Sequence, residues 1–82
     1  MITGQIVISK RGRDKGKAMV IIAVDGEYVY LVDGRIRPLA RPKKKKVKHI
    51  QLTNSVVDLA PPCGRALQDA DICKFLAGFG HG

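Results

Sequence analysis

Apolar and polar residues alternate along this chain in blocks that predict short strands first and one helix last. Gln5-Ile6-Val7-Ile8-Ser9 is a β-branched run, and the next eight residues, Lys10 to Lys17, are almost all charged or glycine. That contrast predicts a strand followed by a loop. Ala18 to Val24 is apolar at every position and ends at Asp25-Gly26, a dipeptide of hairpin turns. A second Asp-Gly stands at 33–34, after Glu27-Tyr28-Val29-Tyr30-Leu31-Val32. Two such pairs around one run predict a meander of three antiparallel strands. Within 28–32 the alternation places Val29 and Leu31 on one face and Tyr28, Tyr30 and Val32 on the other.

Pro38 and Pro42 argue against a central strand between Arg35 and Pro42, because proline cannot donate to a ladder. Pairing is expected to resume over Val47-Lys48-His49-Ile50-Gln51-Leu52. Five short strands in about 50 residues fit a small, curved, partly closed barrel better than a flat sheet with exposed edges. Pro61-Pro62 ends any extended segment, and Ala66, Leu67, Ala70, Cys73, Leu76 and Ala77 then keep the spacing of one helical face. Gly78 and Gly80 supply a stop. The expected organisation is a barrel over 1–52 and an extension over 53–82, with a short helix over roughly 65–77 that packs on the barrel or docks on a partner.

Length and composition narrow the function. Eighty-two residues suffice for one domain, and with no tryptophan its core must rest on Val, Ile and Leu. The net charge of +8 is uneven: residues 1–52 hold 13 Lys or Arg against 4 Asp or Glu, whereas residues 53–82 hold 2 against 3. The first part therefore favours a polyanion, since each cation beside a phosphate releases a condensed counterion. Nothing reads as a basic amphipathic helix or as an apolar span of about 18 residues, so a membrane partner is not expected. The start, Met1-Ile2-Thr3-Gly4, lacks the charged head and apolar run of a signal peptide. A cytoplasmic location with Cys63 and Cys73 as reduced thiols follows as an expectation.

The charge sits in two segments. In the first, Lys10, Arg11, Arg13, Lys15 and Lys17 surround Gly12 and Gly16, whose missing Cβ lets backbone N–H groups approach phosphate. Asp14, the one acid there, either fixes the turn as Asx residues do or orients a neighbouring arginine. In the second, Arg35, Arg37 and Arg41 precede the lysine block Lys43, Lys44, Lys45 and Lys46, with Lys48 and His49 following. Arg11, Arg13 and Lys43 to Lys46 are expected to face solvent, and Arg35, Arg37, Arg41 and the lysine block to line one groove with the loop, while His49 beside Lys48 either touches RNA or packs. Lysines would add affinity as point charges, while Arg11, Arg13, Arg35, Arg37 and Arg41 can fork onto phosphate or stack on bases. A lysine tetrad alone also suits a nuclear-localisation patch or a tether. Tyr28 and Tyr30 either stack on unpaired bases or cover the outside of the barrel.

Other chemistries find no support. Nine residues separate Cys63 from Cys73, no Cys-x-x-Cys is present, and His49 and His81 are scattered, so no zinc or other metal site is expected. No nucleophile–base pairing, acidic cluster or phosphate-loop glycine pattern appears, so neither an enzyme nor a cofactor is expected.

The stretch from Gly4 to Lys17, followed by the apolar strand, resembles the KOW motif, with Gly16 at the position of its fixed glycine. Carried through Val24-Asp25-Gly26, Val32-Asp33-Gly34 and Arg41-Pro42-Lys43-Lys44-Lys45-Lys46-Val47-Lys48-His49, the pattern is similar to the fourteen-e family of large-subunit ribosomal proteins and their short bacterial KOW relatives. The long helical extensions of the larger ribosomal members have no counterpart in residues 53–82. The resemblance implies a mainly β fold, an SH3-like small β-barrel, and RNA as ligand. The expectation is a non-catalytic module for ribosomal RNA, a component or accessory factor of the large subunit, with its C-terminal helix available to ribosomal proteins. Two rivals are a transcription-elongation KOW module that touches RNA polymerase or nascent RNA, and a Tudor-type protein-interaction barrel. The second needs an aromatic cage, and the chain has only Tyr28, Tyr30, Phe75 and Phe79.

Overall fold

The structure, a computed structural model, describes residues 2–59 and 66–79. Pro61, Pro62, Cys63, Arg65, Gly80 and His81, to which the sequence reading gives a strand end, a thiol, the helix start, a stop and a histidine, lie outside those residues. Five strands form one antiparallel sheet: β1 (Gln5–Ser9), β2 (Ala18–Asp25), β3 (Tyr28–Val32), β4 (Lys43–Lys46) and β5 (Ile50–Val56), in the order β4-β3-β2-β1-β5. One helix, α1 (Asp69–Gly78), follows.

The β2–β3 hairpin forms where Asp25-Gly26 predicts it. Asp25 pairs with Tyr28, and Gly26 has φ +61° while no non-glycine residue has positive φ, the pattern of a type II′ turn. Asp33-Gly34 does something else. The Asp33 Oδ1 accepts the backbone N–H groups of Arg35 and Arg37, both at 2.8 Å, and opens a ten-residue irregular loop in place of a tight hairpin. The segment with Pro38 and Pro42 is indeed not a strand.

Two departures from the sequence reading concern β4 and β5. The lysine block is a strand, and Val47–His49, expected to begin a strand, is a 3₁₀ turn. β5 starts at Ile50 and runs on past Leu52 to Val56. Those three turn residues join the two edge strands of the sheet. Laid flat, a five-stranded sheet would hold its edges about 19 Å apart, whereas a 3₁₀ turn of this length rises only about 6 Å. The sheet must therefore curl. Breaks in the strand register at Gln5/Val7 and Ile21/Ala23 mark the places where the ladder bends. β4 and β5 do not pair, so the curl stops short of a closed barrel.

Curling buries one face of the sheet and α1 covers the other, which is why Ile6 and Val7, or Val20 and Ile21, are buried side by side. Inside lie Val7, Met19, Ile21, Val29, Leu31 and Ile50, with Val47 packed against them. The other face buries Ile6, Val20 and Val32 beneath Ile72 of α1, flanked by Leu39, Phe75, Leu76 and Phe79. The helix thus packs on the sheet, starting at Asp69 and not near 65, and Leu67 and Leu76 of the expected face do pack there while its alanines do not. Ala66, Ala70 and Ala77 are exposed, and the bulkier Ile72 is fully buried. Bulk decides the rotation, because a large side chain removes more apolar area from water than alanine does. Gly78 is part of the helix and not its stop; Phe79 is the C-cap. Gln68 and Asp71 form a capping box at the other end. α1 docks over the 33–39 loop, where Asp69 Oδ1 accepts the Leu39 N–H at 2.7 Å.

Candidate nucleic-acid interface

The 10–17 loop owes its shape to backbone hydrogen bonds. Gly16 N–H donates to the Ser9 carbonyl at 2.7 Å, Lys17 to Asp14, and Lys15 to Gly12, while Lys10 N–H ties the loop base to His49. Gly12 and Gly16 take φ of +80° and +86°, which L side chains rarely adopt. Space around the Gly16 Cα is open.

Strand parity splits the lysine block. Lys45 stands opposite Val29 and so points to the inside of the sheet, whereas Lys44 and Lys46 stand opposite Tyr30 and Tyr28 on the outside. The expectation that all four lysines face solvent fails at Lys45, which is 8% exposed. Its ammonium donates to Ser9 Oγ and to the Arg11 carbonyl, each at 2.6 Å, and so fastens the tip of the basic loop to β4. Burial pushes the Lys45 pKa down; Asp14 opposes that shift, and Lys43 and Arg37 add to it. A serine and a lysine at this spacing also invite comparison with a Ser–Lys nucleophile pair. Ser9 is 1% exposed, however, and its hydroxyl donates to the Arg11 carbonyl, so the contact is a structural tie.

Asp14 takes the arginine-pairing role, but with a partner from the other basic segment. It is 4% exposed, and its carboxylate lies 3.5 Å from Nη2 of Arg37, an arginine distant in sequence and not one of those in its own loop. The pair brings the two basic segments together. Arg11, Gly12, Arg13 and Asp14 from the loop and Arg37, Lys43, Lys45 and His49 from the second segment line one open cavity of about 470 Å³. Five basic side chains line it together with one carboxylate. Burial, and then Arg11, Lys48, Lys45 and Lys46, push the His49 pKa below its ordinary value, since each disfavours a further positive charge.

The remaining basic residues lie elsewhere. Lys10, Lys15 and Arg41 are exposed, as is Gly16. Lys17 and Arg35 flank a separate depression with Asp33, Ile36 and Cys73, where Lys17 Nζ is 3.6 Å from Asp33 Oδ2. Burial raises the Asp33 pKa, but the Arg35 and Arg37 N–H groups and Lys17 together outweigh it and hold it below the usual carboxylate range. Lys46 and Lys48 line a third cavity. Sequence reasoning missed Ser9 and the Asp14–Arg37 pair as parts of the site. Ser9 did carry a signal, because its spacing from Val7 places a hydroxyl on the buried phase of β1, where it needs a polar partner.

A scan against protein-family models matches none to this chain, and a search of curated proteins finds no match either. Among the described residues no helix is long and apolar enough to cross a membrane.

Proposed function

We propose that this chain is a non-catalytic RNA-binding module that grips the phosphate backbone in the groove between the 10–17 loop and β4. The observation that carries the proposal is the convergence of Arg11, Arg13, Arg37, Lys43 and Lys45 on one cavity with Asp14 as the sole acid. Like charges held this close repel one another, and a polyanion relieves that repulsion while releasing its counterions. Lysines on an edge strand also discourage strand addition by another chain. That role accounts for β4 but not for Arg11, Arg13 and Arg37, which lie on loops.

The resemblance to the fourteen-e ribosomal family supports ribosomal RNA of the large subunit as the ligand, an SH3-like reading of the curled sheet, and a cytoplasmic setting. A Tudor-type cage has less support, since Lys44 lies over the Tyr28 ring and Phe75 and Phe79 pack on the helix side. The testing experiment is a salt titration of affinity for a structured RNA. Log K should fall linearly with log salt, by about 0.7 to 0.9 for each neutralised phosphate, giving a slope near −3 to −5 for the groove's cations. A flat response would remove the electrostatic basis of the reading.

A further inference from the structure

The outer face of β4 carries a second constellation that the groove does not use. Tyr28 stands directly opposite Lys46, with Lys44 on the diagonal, and these cross-strand neighbours gather over its ring. Lys44 Nζ is 4.5 Å from the ring centroid and Lys46 Nζ is 6.0 Å from it. Beside them lies an open cavity of about 440 Å³ lined by Gly26, Glu27, Lys46, Val47 and Lys48. The ring is half-buried on a strand, which holds it rigid, and what covers its face is a flexible lysine. A cation–π contact at such an exposed site is weak, so a stacking group can displace the lysine.

We propose that Tyr28, with Lys44, Lys46 and Lys48 around it, is a second RNA contact that takes an unpaired nucleotide, whose base displaces Lys44 and stacks on the ring while its phosphates meet the lysines. This proposal rests on the RNA-binding reading above. Glu27 and Asp25 flank the ring at the hairpin, so this face lacks the continuous positive field that a duplex backbone needs. A stacked base gains from the π face whatever its sequence, and being uncharged it is not repelled by the flanking acids, while the few phosphates of one nucleotide meet Lys44, Lys46 and Lys48. The strand parity that turns Lys43 and Lys45 toward the groove turns Lys44 and Lys46 toward this platform, so β4 serves both surfaces.

The test compares an oligouridine of about eight nucleotides, within the usual site size for single strands, with a blunt RNA duplex. Because the chain has two tyrosines and no tryptophan, intrinsic tyrosine emission reports on stacking directly. The single strand should quench that emission and the duplex should not. Tyr28→Leu should lower affinity for the single strand about fivefold or more and leave duplex affinity within about twofold. Tyr28→Phe keeps a stacking ring, and should retain single-strand affinity while losing most of the quenching; it keeps the test decisive should the leucine variant misfold. Wild-type emission unchanged by the single strand, or a phenylalanine variant that loses affinity with the leucine one, overturns the platform while leaving groove binding to the duplex intact. No binding of either RNA by the wild type overturns both readings.

Discussion

Replacing Arg11, Arg13 and Lys43 together with alanine is expected to weaken RNA binding by about a hundredfold at low salt, at about 1 kcal/mol for each lost charge-assisted contact. The three belong to the groove from both sides, two on the loop and one on β4. Arg11 and Arg13 are exposed and Lys43 half-buried. The ion pairs among the described residues, Lys17–Asp33 and Arg37–Asp14, use none of them. The fold should therefore survive, with relief of like-charge repulsion offsetting part of any loss. The salt slope should also shrink by about 2 to 3. Lys45 is left out of this set deliberately. Its removal would strip the donor from Ser9 Oγ and from the Arg11 carbonyl, so a loss of binding would mix electrostatics with a loosened loop. A triple variant that binds with wild-type affinity and slope would place the RNA contact somewhere other than the groove.

Gly34→Ala should cost stability on a scale close to that of the whole domain. Gly34 has φ +79°, and a Cβ there would lie 2.6 Å from the Asp69 carbonyl oxygen and 2.9 Å from Cys73 Sγ. The first of these neighbours is backbone at the start of α1, so relief requires lifting the helix off the 33–39 loop. The conformational penalty of about 1 to 2 kcal/mol and the overpacking cost of about 1 to 3 kcal/mol add to about 3 kcal/mol. Small cores supply only about 3 to 5 kcal/mol in total. Gly16→Ala is the control, because its φ of +86° carries the same penalty while nothing stands within 4 Å of the added Cβ. Urea unfolding of both variants separates the terms. Gly34→Ala should lose at least twice what Gly16→Ala loses, and equal losses would mean that the helix does not sit on Gly34.

What the sequence disclosed and what it hid divide along physical lines. Where side chains alternate in hydrophobicity, as in Tyr28 to Val32, the pattern records which face is buried, and Val29 and Leu31 do lie inside. Where a turn depends on local chemistry, as at Asp25-Gly26, the dipeptide suffices to place it. Four consecutive lysines carry no alternation. β4 is a strand because β3 offers it a ladder, and only that pairing decides that Lys45 points inward. The pairing of Asp14 with Arg37 was hidden for the same reason, since the partners stand 23 residues apart and only the fold brings the arginine to the buried carboxylate. Leu67 and Leu76 of the expected helical face do pack on the sheet, but Ile72, Phe75 and Phe79 lie there in place of its alanines Ala66, Ala70 and Ala77. Spacing alone did not choose between them; the area each could bury did. Both basic segments were legible as charge, but their meeting in one groove is a property of the curled sheet.

The most direct test of that groove is a map of RNA-induced amide shifts on the isotope-labelled full chain, titrated with a duplex RNA at fixed low salt. The account predicts that the largest shifts fall on Arg11 to Asp14, Arg37, Lys43, Lys45 and His49, with the α1 amides unmoved. Shifts centred on α1 or on the 50–56 strand, with the 10–17 loop silent, would contradict it.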